Sequence, residues 1–196
     1  HCLSSAASDV YKRQNFDTVD YVVIDQNGSH KKTQSLPFES RSMLHECAIT
    51  KNYMLVFDLS VVFDLYKLGR GYFPFSWDDN HQSRIGLLDR NGDSDAVQWF
   101  EIERTYFFHT FNAHEDPNGN VVITAAAYGR LFDTDWNGPF TESSPQLTKW
   151  ELNIKSGQAT STKLDDRAVE FPRINPSLVG KFNQYAYALA LSLIHI

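Results

Sequence analysis

The sequence is poor in cysteine, in basic charge, in long apolar runs and in helical periodicity. Its 196 residues include only two cysteines, Cys2 and Cys47. The net charge of −6 gives no indication of a nucleic-acid-binding surface. No apolar run is long enough to span a bilayer as a helix. No stretch has a convincing amphipathic helical pattern either, so a helical fold is not indicated.

What the sequence does contain is aromatic residues and short apolar segments. Hydrophobic residues make up 42% of the chain, which is ample for a core, and aromatic residues make up 14%. The length suggests one domain. The apolar segments are separated by Gly, Asn, Asp and Pro, which is typical of an all-β protein. We expect about ten short strands, including 53–59, 84–90, 121–127 and a hairpin over 147–164, in a sandwich, barrel or propeller.

The two ends of the chain are related at the nucleotide level. Residues 191–196 can be encoded by CTG TCT CTT ATA CAC ATC, and the reverse complement of that sequence encodes residues 9–14. Such an inverted repeat is no folding signal, and it resembles a sequencing adapter. We therefore exclude 1–14 and 191–196 from the fold, as one excludes a fusion scar. Residues 15–190 are then expected to be an internal piece of a longer protein, with Cys47 unpaired, which fits a reducing compartment.

The most informative stretch is 105–116, an aromatic run that contains His109. Its composition predicts a strand that ends near residue 111, followed by a turn-rich segment over 112–119. A histidine at that place could ligate a metal, or it could be a core histidine with one satisfied hydrogen bond. A second apolar run, 43–50, contains His45 and is also expected to be a strand.

The other histidines are weaker candidates for ligands. His114 follows the predicted strand in the turn and is a rival ligand candidate. His30 lies among lysine and threonine residues, and His81 lies in a polar run. We expect both of these side chains to face solvent.

Four stretches in order resemble the carotenoid cleavage oxygenase family, and the resemblance covers essentially all of 15–190. They are MLHECAIT at 43–50, FHTFNAHED at 108–116, EFPRIN at 170–175 and YAY at 185–187. The resemblance implies an all-β fold that is part of a seven-bladed β-propeller, with about four blades present. The chain departs from the usual family pattern at three positions, which are Glu46 in place of Asp, Asp89 in place of Pro and His114 in place of an aromatic residue.

The resemblance also implies a site. In the family, one iron(II) ion is held by four histidines, and His45 and His109 match the second and third of them. The first and fourth lie in family regions outside this sequence. Glu170 matches a carboxylate that accepts the other ring N–H of His109, which fixes the ring and compensates the metal charge. Phe108, beside a ligand, is the first candidate for contact with substrate. No catalytic residue beyond the metal site is indicated.

The implied reaction is oxidative cleavage, with dioxygen, of a conjugated C=C bond in a carotenoid, apocarotenoid or stilbene-like substrate to two carbonyl products. Residues 15–190 alone are not expected to be active or to hold iron well. A cytoplasmic location is expected, and peripheral membrane contact by the full-length protein is left open. Two alternatives stand beside this interpretation. One is a non-catalytic propeller that acts as a binding module, and the other is a calcium-dependent lactonase-like propeller that uses Asp and Asn.

Overall fold

The computed structural model describes residues 18–38, 40–92, 96–135 and 142–190. This part of the chain is almost entirely β-structure, as predicted, with one five-residue helix and one 3-10 turn. The elements in chain order are β1 Thr18–Ile24, β2 His30–Pro37, β3 Ala48–Ile49, β4 Tyr53–Asp58, β5 Val61–Phe63, α1 Leu65–Gly69, β6 Phe75–Trp77, β7 Arg84–Asp89, β8 Val97–Glu101, β9 Thr110–Glu115, β10 Val121–Ala127, β11 Gln146–Asn153, β12 Gln158–Arg173, the turn Pro176–Leu178 and β13 Tyr187–Ala190.

The strands of the described residues form four antiparallel sheets. One has the order β3-β4-β7-β8, a second has the order β13-β12-β11-β10-β9, and β1-β2 and β5-β6 are two-stranded. The β1–β2 hairpin turns at Gly28, whose φ of 79° suits a residue without Cβ. Two edge strands, β3 of the first sheet and β9 of the second, contact each other. This contact brings together parts of the chain that are far apart in sequence.

The core joins the two larger sheets. Strand β4 is buried along almost its whole length, as its continuous apolar sequence predicts. Its neighbour β7 carries Gly86, where a Cβ atom would lie 2.7–2.8 Å from side-chain atoms of Val97, Trp99 and Val56. Only glycine fits there without displacement of these neighbours. A second, smaller cluster packs the β1–β2 hairpin on the other face of β4, through Leu36 and Met54.

The region 178–183 is tied to β9 by one buried amide. The Nδ2 of Asn112 donates to the carbonyl oxygens of Leu178 and Lys181 and to Oδ1 of Asn183, at 3.2, 2.7 and 2.7 Å. Its Oδ1 accepts from the N–H of Gly180 at 3.1 Å. Asn112 is 7% exposed, so protein groups rather than bulk solvent satisfy both ends of its amide.

Several expectations for the fold were wrong. Helix α1 was not foreseen; Asp64 caps it by accepting from two backbone N–H groups. Residues 165–167 do not turn the chain, because β12 continues through them. Cys47 is disulfide-bonded, although exclusion of the first residues had left it unpaired. The other cysteine, Cys2, and both adapter-like ends lie outside the described residues. Within the described residues, no helix is long and apolar enough to cross a membrane.

Candidate metal centre

Two histidines stand just ahead of the two edge strands that contact each other. His45 lies three residues before β3, and His109 lies immediately before β9. Although they are 64 positions apart (109 − 45), their ring centroids are 5.2 Å apart and their planes are inclined by 88°. The contact between the edge strands therefore places two imidazoles side by side.

Each imidazole is held by a hydrogen bond at its Nδ1 atom. The Nδ1 of His45 lies 3.1 Å from the carbonyl oxygen of Phe108, and since a carbonyl only accepts, Nδ1 carries the hydrogen. The Nδ1 of His109 lies 2.9 Å from Oε2 of Glu170, which accepts in the same way when ionised. In each ring the Nε2 lone pair is then left for a ligand. In the described part of the chain, neither Nε2 has a hydrogen-bond partner.

Glu170 is a buried carboxylate with three donors. It is 2% exposed, and Oε2 accepts from His109 and from the backbone N–H of Phe171 at 2.9 Å. Its Oε1 accepts from the hydroxyl of Tyr128 at 3.0 Å. The pKa of this fully buried phenol is raised, first by burial and then by the adjacent Glu170. The phenol therefore remains a hydrogen-bond donor at neutral pH.

The backbone beside Glu170 is strained. Phe171 has φ of 56°, which is uncommon for a residue with a Cβ, and it lies where the register between β12 and β13 shifts. This irregularity accompanies the inward placement of Glu170 and leaves the ring of Phe171 at 5.7 Å from that of His109. Phe171 is about half exposed, so its ring forms part of the open side of the site.

A second carboxylate links the two histidine segments. Glu46 follows His45, and its Oε2 accepts the backbone N–H of Thr110, the residue after His109. Burial raises the pKa of Glu46, while the hydrogen bonds from Thr110 and the nearby His109 act in the opposite direction. The resemblance had marked Glu46 only as a departure from the family pattern.

Aromatic rings enclose one side of the pair. The ring of Phe108 lies 5.2 Å from His45, 6.4 Å from His109, 5.0 Å from Tyr106 and 5.7 Å from Tyr128. Phe108 is partly buried, so one face of its ring packs into the core while it borders both imidazoles. These rings make that side of the pair largely apolar.

The donor set fits part of a metal site. Two imidazoles bound to one ion through nitrogen bonds of about 2.1 Å have centroids roughly 4.5–5.5 Å apart when the angle between the bonds is about 90–115°. The observed separation of 5.2 Å falls in that range. Within 18–38, 40–92, 96–135 and 142–190, no group of three or more His, Cys, Asp and Glu side chains is arranged to hold a metal. Among the described residues, the Nε2 atoms of His45 and His109 are thus the two nitrogens available to such a site, without a third ligand side chain beside them.

The surroundings of the histidines differ from the sequence-based expectation. His45 is exposed in an irregular segment, since only Ala48–Ile49 of its apolar run is a strand. His109 precedes its strand rather than ending one, because the aromatic residues before it pair only through the isolated bridge of Tyr106 with Tyr128. His114 is not in a turn. It lies within β9, with its ring 5.4 Å from that of Phe182.

His30 is exposed, as expected, but the prediction of a solvent-facing His81 was wrong. His81 is 6% exposed and its Nε2 lies 2.8 Å from Oδ1 of Asp58, a fully buried carboxylate. Arg84 pairs with the other oxygen at 2.9 Å. Burial would raise the pKa of Asp58, but the hydrogen bonds from His81 and Ser42 and the charge of Arg84 lower it overall.

The cluster around His81 is not a nucleophilic triad. The hydroxyls of Ser40 and Ser42 approach the same Nε2 atom that meets Asp58. A triad needs the carboxylate on one ring nitrogen and the hydroxyl on the other, so that the histidine can accept the hydroxyl proton. We interpret the cluster as a structural network that satisfies a buried charge.

The sheets and the paired histidines of the described residues define an all-β protein with a candidate metal centre at adjoining sheet edges. The sequence model of the family described as Retinal pigment epithelial membrane protein matches residues 9–193. The chain therefore belongs to the family of the retinal pigment epithelial membrane protein and the carotenoid cleavage oxygenases.

Individual relatives agree with this assignment. The chain is 31% identical to the carotenoid cleavage oxygenase of Mycobacterium tuberculosis, over 88% of this chain and 43% of that protein. It is 31% identical to carotenoid 9,10(9',10')-cleavage dioxygenase 1 of Pisum sativum, over 90% of this chain and 34% of that protein. Isoeugenol monooxygenase of Pseudomonas putida is 26% identical, over 85% of this chain and 36% of that protein. The chain thus spans less than half the length of these relatives.

A solved structure confirms the type of fold. Cobalt-substituted apocarotenoid oxygenase from Synechocystis superimposes with a TM-score of 0.76 over 88% of this chain and 38% of that one, at 22% identity. The predicted fold class, part of a β-propeller, is therefore correct.

Proposed function

We propose that the protein containing this chain is an iron(II) dioxygenase that cleaves a conjugated C=C bond of a carotenoid or apocarotenoid to two carbonyl products. The observation that carries the proposal is the pair of imidazoles of His45 and His109. Their rings lie 5.2 Å apart, and both are held through Nδ1 with Nε2 left for a ligand. Family membership, with relatives named as carotenoid cleavage enzymes, supplies the reaction class.

In this proposal His45 and His109 would hold iron through Nε2, and the missing ligands would come from outside the described residues. When bound, the ion would supply the dioxygen chemistry that amino-acid side chains lack. Histidine suits this role because a thiolate beside iron and oxygen would itself be oxidised. Each Nδ1–H bond fixes the tautomer and the orientation of its ring.

Glu170 would provide charge compensation behind His109. Imidazole ligands are neutral, so an iron(II) site made only of histidines keeps its full positive charge. A carboxylate that is 2% exposed and hydrogen-bonded to a ligand ring places a negative charge near that site without occupying a coordination position. The hydrogen bond also raises the basicity of the imidazole, which makes it a stronger metal ligand.

Phe108 would contact the substrate. A polyene is long and apolar, and the partly buried ring of Phe108 borders both imidazoles. The half-exposed ring of Phe171 lies on the open side of His109. One relative is named for carotenoids and another for isoeugenol. Both kinds of molecule contain a conjugated C=C bond, so a stilbene-like or phenylpropenoid substrate is the second candidate.

We further infer peripheral contact of the full-length protein with a membrane, from which an apolar substrate could be taken up. Helix α1 and the residues that follow it expose large apolar side chains, with exposed fractions between 39% and 64%. They are Leu65, Tyr66, Leu68, Tyr72 and Phe73. Together they form an apolar surface of the kind that enters the interface of a bilayer.

The test uses the full-length gene product that contains this chain. The purified protein is loaded with iron(II) and incubated with an apocarotenal, an intact carotenoid and a hydroxystilbene under isotopically labelled dioxygen. We expect carbonyl products from a carotenoid substrate, with label incorporated, and loss of product in His109→Ala. An iron-loaded protein that leaves all three substrates intact while binding one of them would instead support the non-catalytic binding module.

A further inference from the structure

We propose that Glu46 is a positioning residue that fixes the distance between the two imidazoles of the candidate metal centre. The inference deepens the proposed function and rests on it, because it presumes that His45 and His109 share one ion. Glu46 does not touch the ion or the substrate in this role. It acts through the backbone on which the second histidine stands.

The main chain on both sides of His109 is held by one dipeptide. His45 donates its Nδ1–H to the carbonyl oxygen of Phe108, the residue before His109, at 3.1 Å. Glu46 accepts the N–H of Thr110, the residue after His109. The dipeptide 45–46 therefore binds the backbone ahead of His109 and the backbone behind it, which limits both translation and rotation of that segment.

The hydrogen bond between Glu46 and Thr110 lies where it can fix the position of the end of β9. Thr110 is the first residue of β9, at the point where the register between β9 and β10 shifts. A strand end at a register shift is poorly constrained by its own ladder, so a side-chain acceptor there decides its position. A hydrogen bond from a backbone N–H to a carboxylate is stronger than one between neutral groups. Glu46 is partly buried, so water competes weakly for it.

The chain offers a matched control at the other end of the same strand. Glu115, the last residue of β9, accepts from Thr50 Oγ1 at 2.6 Å and from the backbone and side-chain nitrogens of Asn52 at 2.8 and 2.6 Å. Glu46 and Glu115 thus join the same two segments of the chain, one beside the histidines and one far along β9 from them. A purely structural role would make the two carboxylates equivalent.

The experiment measures cobalt(II) binding to the full-length gene product, chosen because a structural relative is available in cobalt-substituted form. Wild type, Glu46→Ala, Glu46→Gln and Glu115→Ala are compared by chelator competition, by the visible ligand-field spectrum and by unfolding in urea. We expect Glu46→Ala to bind cobalt about tenfold more weakly, with shifted bands. Glu46→Gln should stay within about threefold of wild type, since its amide oxygen still accepts from Thr110. Glu115→Ala should lose stability but keep the wild-type affinity and spectrum.

Three results would overturn the inference. Glu46→Gln as weak as Glu46→Ala would show that charge matters rather than position. Equal loss of cobalt affinity in Glu115→Ala would show a general structural role. Wild-type affinity and spectrum in Glu46→Ala would show no role. If Glu46→Ala does not fold, Glu46→Met, which has a similar length but no oxygen acceptor, replaces it, and wild-type behaviour there has the same meaning. Failure of the proposed function itself is separate, since His109→Ala would then keep the wild-type spectrum.

Discussion

Replacement of Glu170 by glutamine tests whether its charge supports the metal centre. Glutamine has almost the same shape, and its single oxygen can accept from both His109 and Phe171, the two donors now bound to Oε2 at 2.9 Å. Its amide group would then face Tyr128, whose hydroxyl can rotate to accept. The variant should therefore fold, with the hydrogen bonds kept and the charge removed.

The magnitudes follow from these contacts. Bonds to a charged acceptor contribute about 1 kcal/mol more than neutral ones, and relief of the buried charge offsets part of that loss. We expect the free energy of unfolding of Glu170→Gln to lie within about 2 kcal/mol of wild type. Metal affinity should fall about 10- to 100-fold, equivalent to about 1.4–2.8 kcal/mol. Glu170→Leu, which leaves the buried donors of Tyr128 and Phe171 unpaired, should lose roughly 2–6 kcal/mol of stability.

The assay pairs urea unfolding of the metal-free proteins with iron(II) or cobalt(II) competition in the full-length gene product. The two variants separate stability from metal affinity, because Glu170→Gln is expected to affect mainly the second. The reasoning is refuted if Glu170→Gln binds metal as tightly as wild type. It is also refuted if Glu170→Leu is as stable as wild type, since the donors of Tyr128 and Phe171 would then have found other partners.

Three further predictions concern packing and the surface. In urea unfolding, Gly86→Ala should lower the free energy of unfolding by about 1–3 kcal/mol, because its Cβ would overlap three side chains. Gly129→Ala has open space around it and should leave the stability nearly unchanged. Equal losses of stability in the two variants would contradict this. Asn112→Asp should lower the free energy of unfolding by about 2–4 kcal/mol, since an oxygen would replace the buried amide nitrogen that donates to three oxygens. A change below about 0.5 kcal/mol would refute this prediction. Leu65→Ser combined with Leu68→Ser should reduce sedimentation with lipid vesicles severalfold, and unchanged binding would remove the membrane proposal.

Strands with a regular pattern were predictable from the sequence. Strand β10 has the predicted bounds, β4 and β11 agree with prediction to within about one residue, and the turn between β11 and β12 lies where it was predicted. Each has a strong apolar or alternating pattern closed by a turn. The continuation of β12 through 165–167 was missed. There the acidic, turn-like composition is overridden by pairing of the flanking segments with β11 and β13.

The candidate site was only partly predictable. The resemblance identified His45, His109 and Glu170, while composition alone left His109 open between a ligand and a core histidine. The position of His109 before β9 was missed because β-propensity depends on context, and the aromatic residues before it pack into the core without a ladder. The contact of Glu46 with Thr110 joins residues 64 positions apart (110 − 46), so no local sequence pattern predicts it.

The most direct test of the account is to locate the metal. A crystal of the iron-loaded full-length gene product, measured at the iron absorption edge, should give one anomalous peak about 2.1 Å from Nε2 of both His45 and His109. Glu170 should remain bound to Nδ1 of His109 on the far side of that ring. A peak bound by other residues, or an iron-loaded protein in which the two imidazoles lie apart and face solvent, would contradict the account.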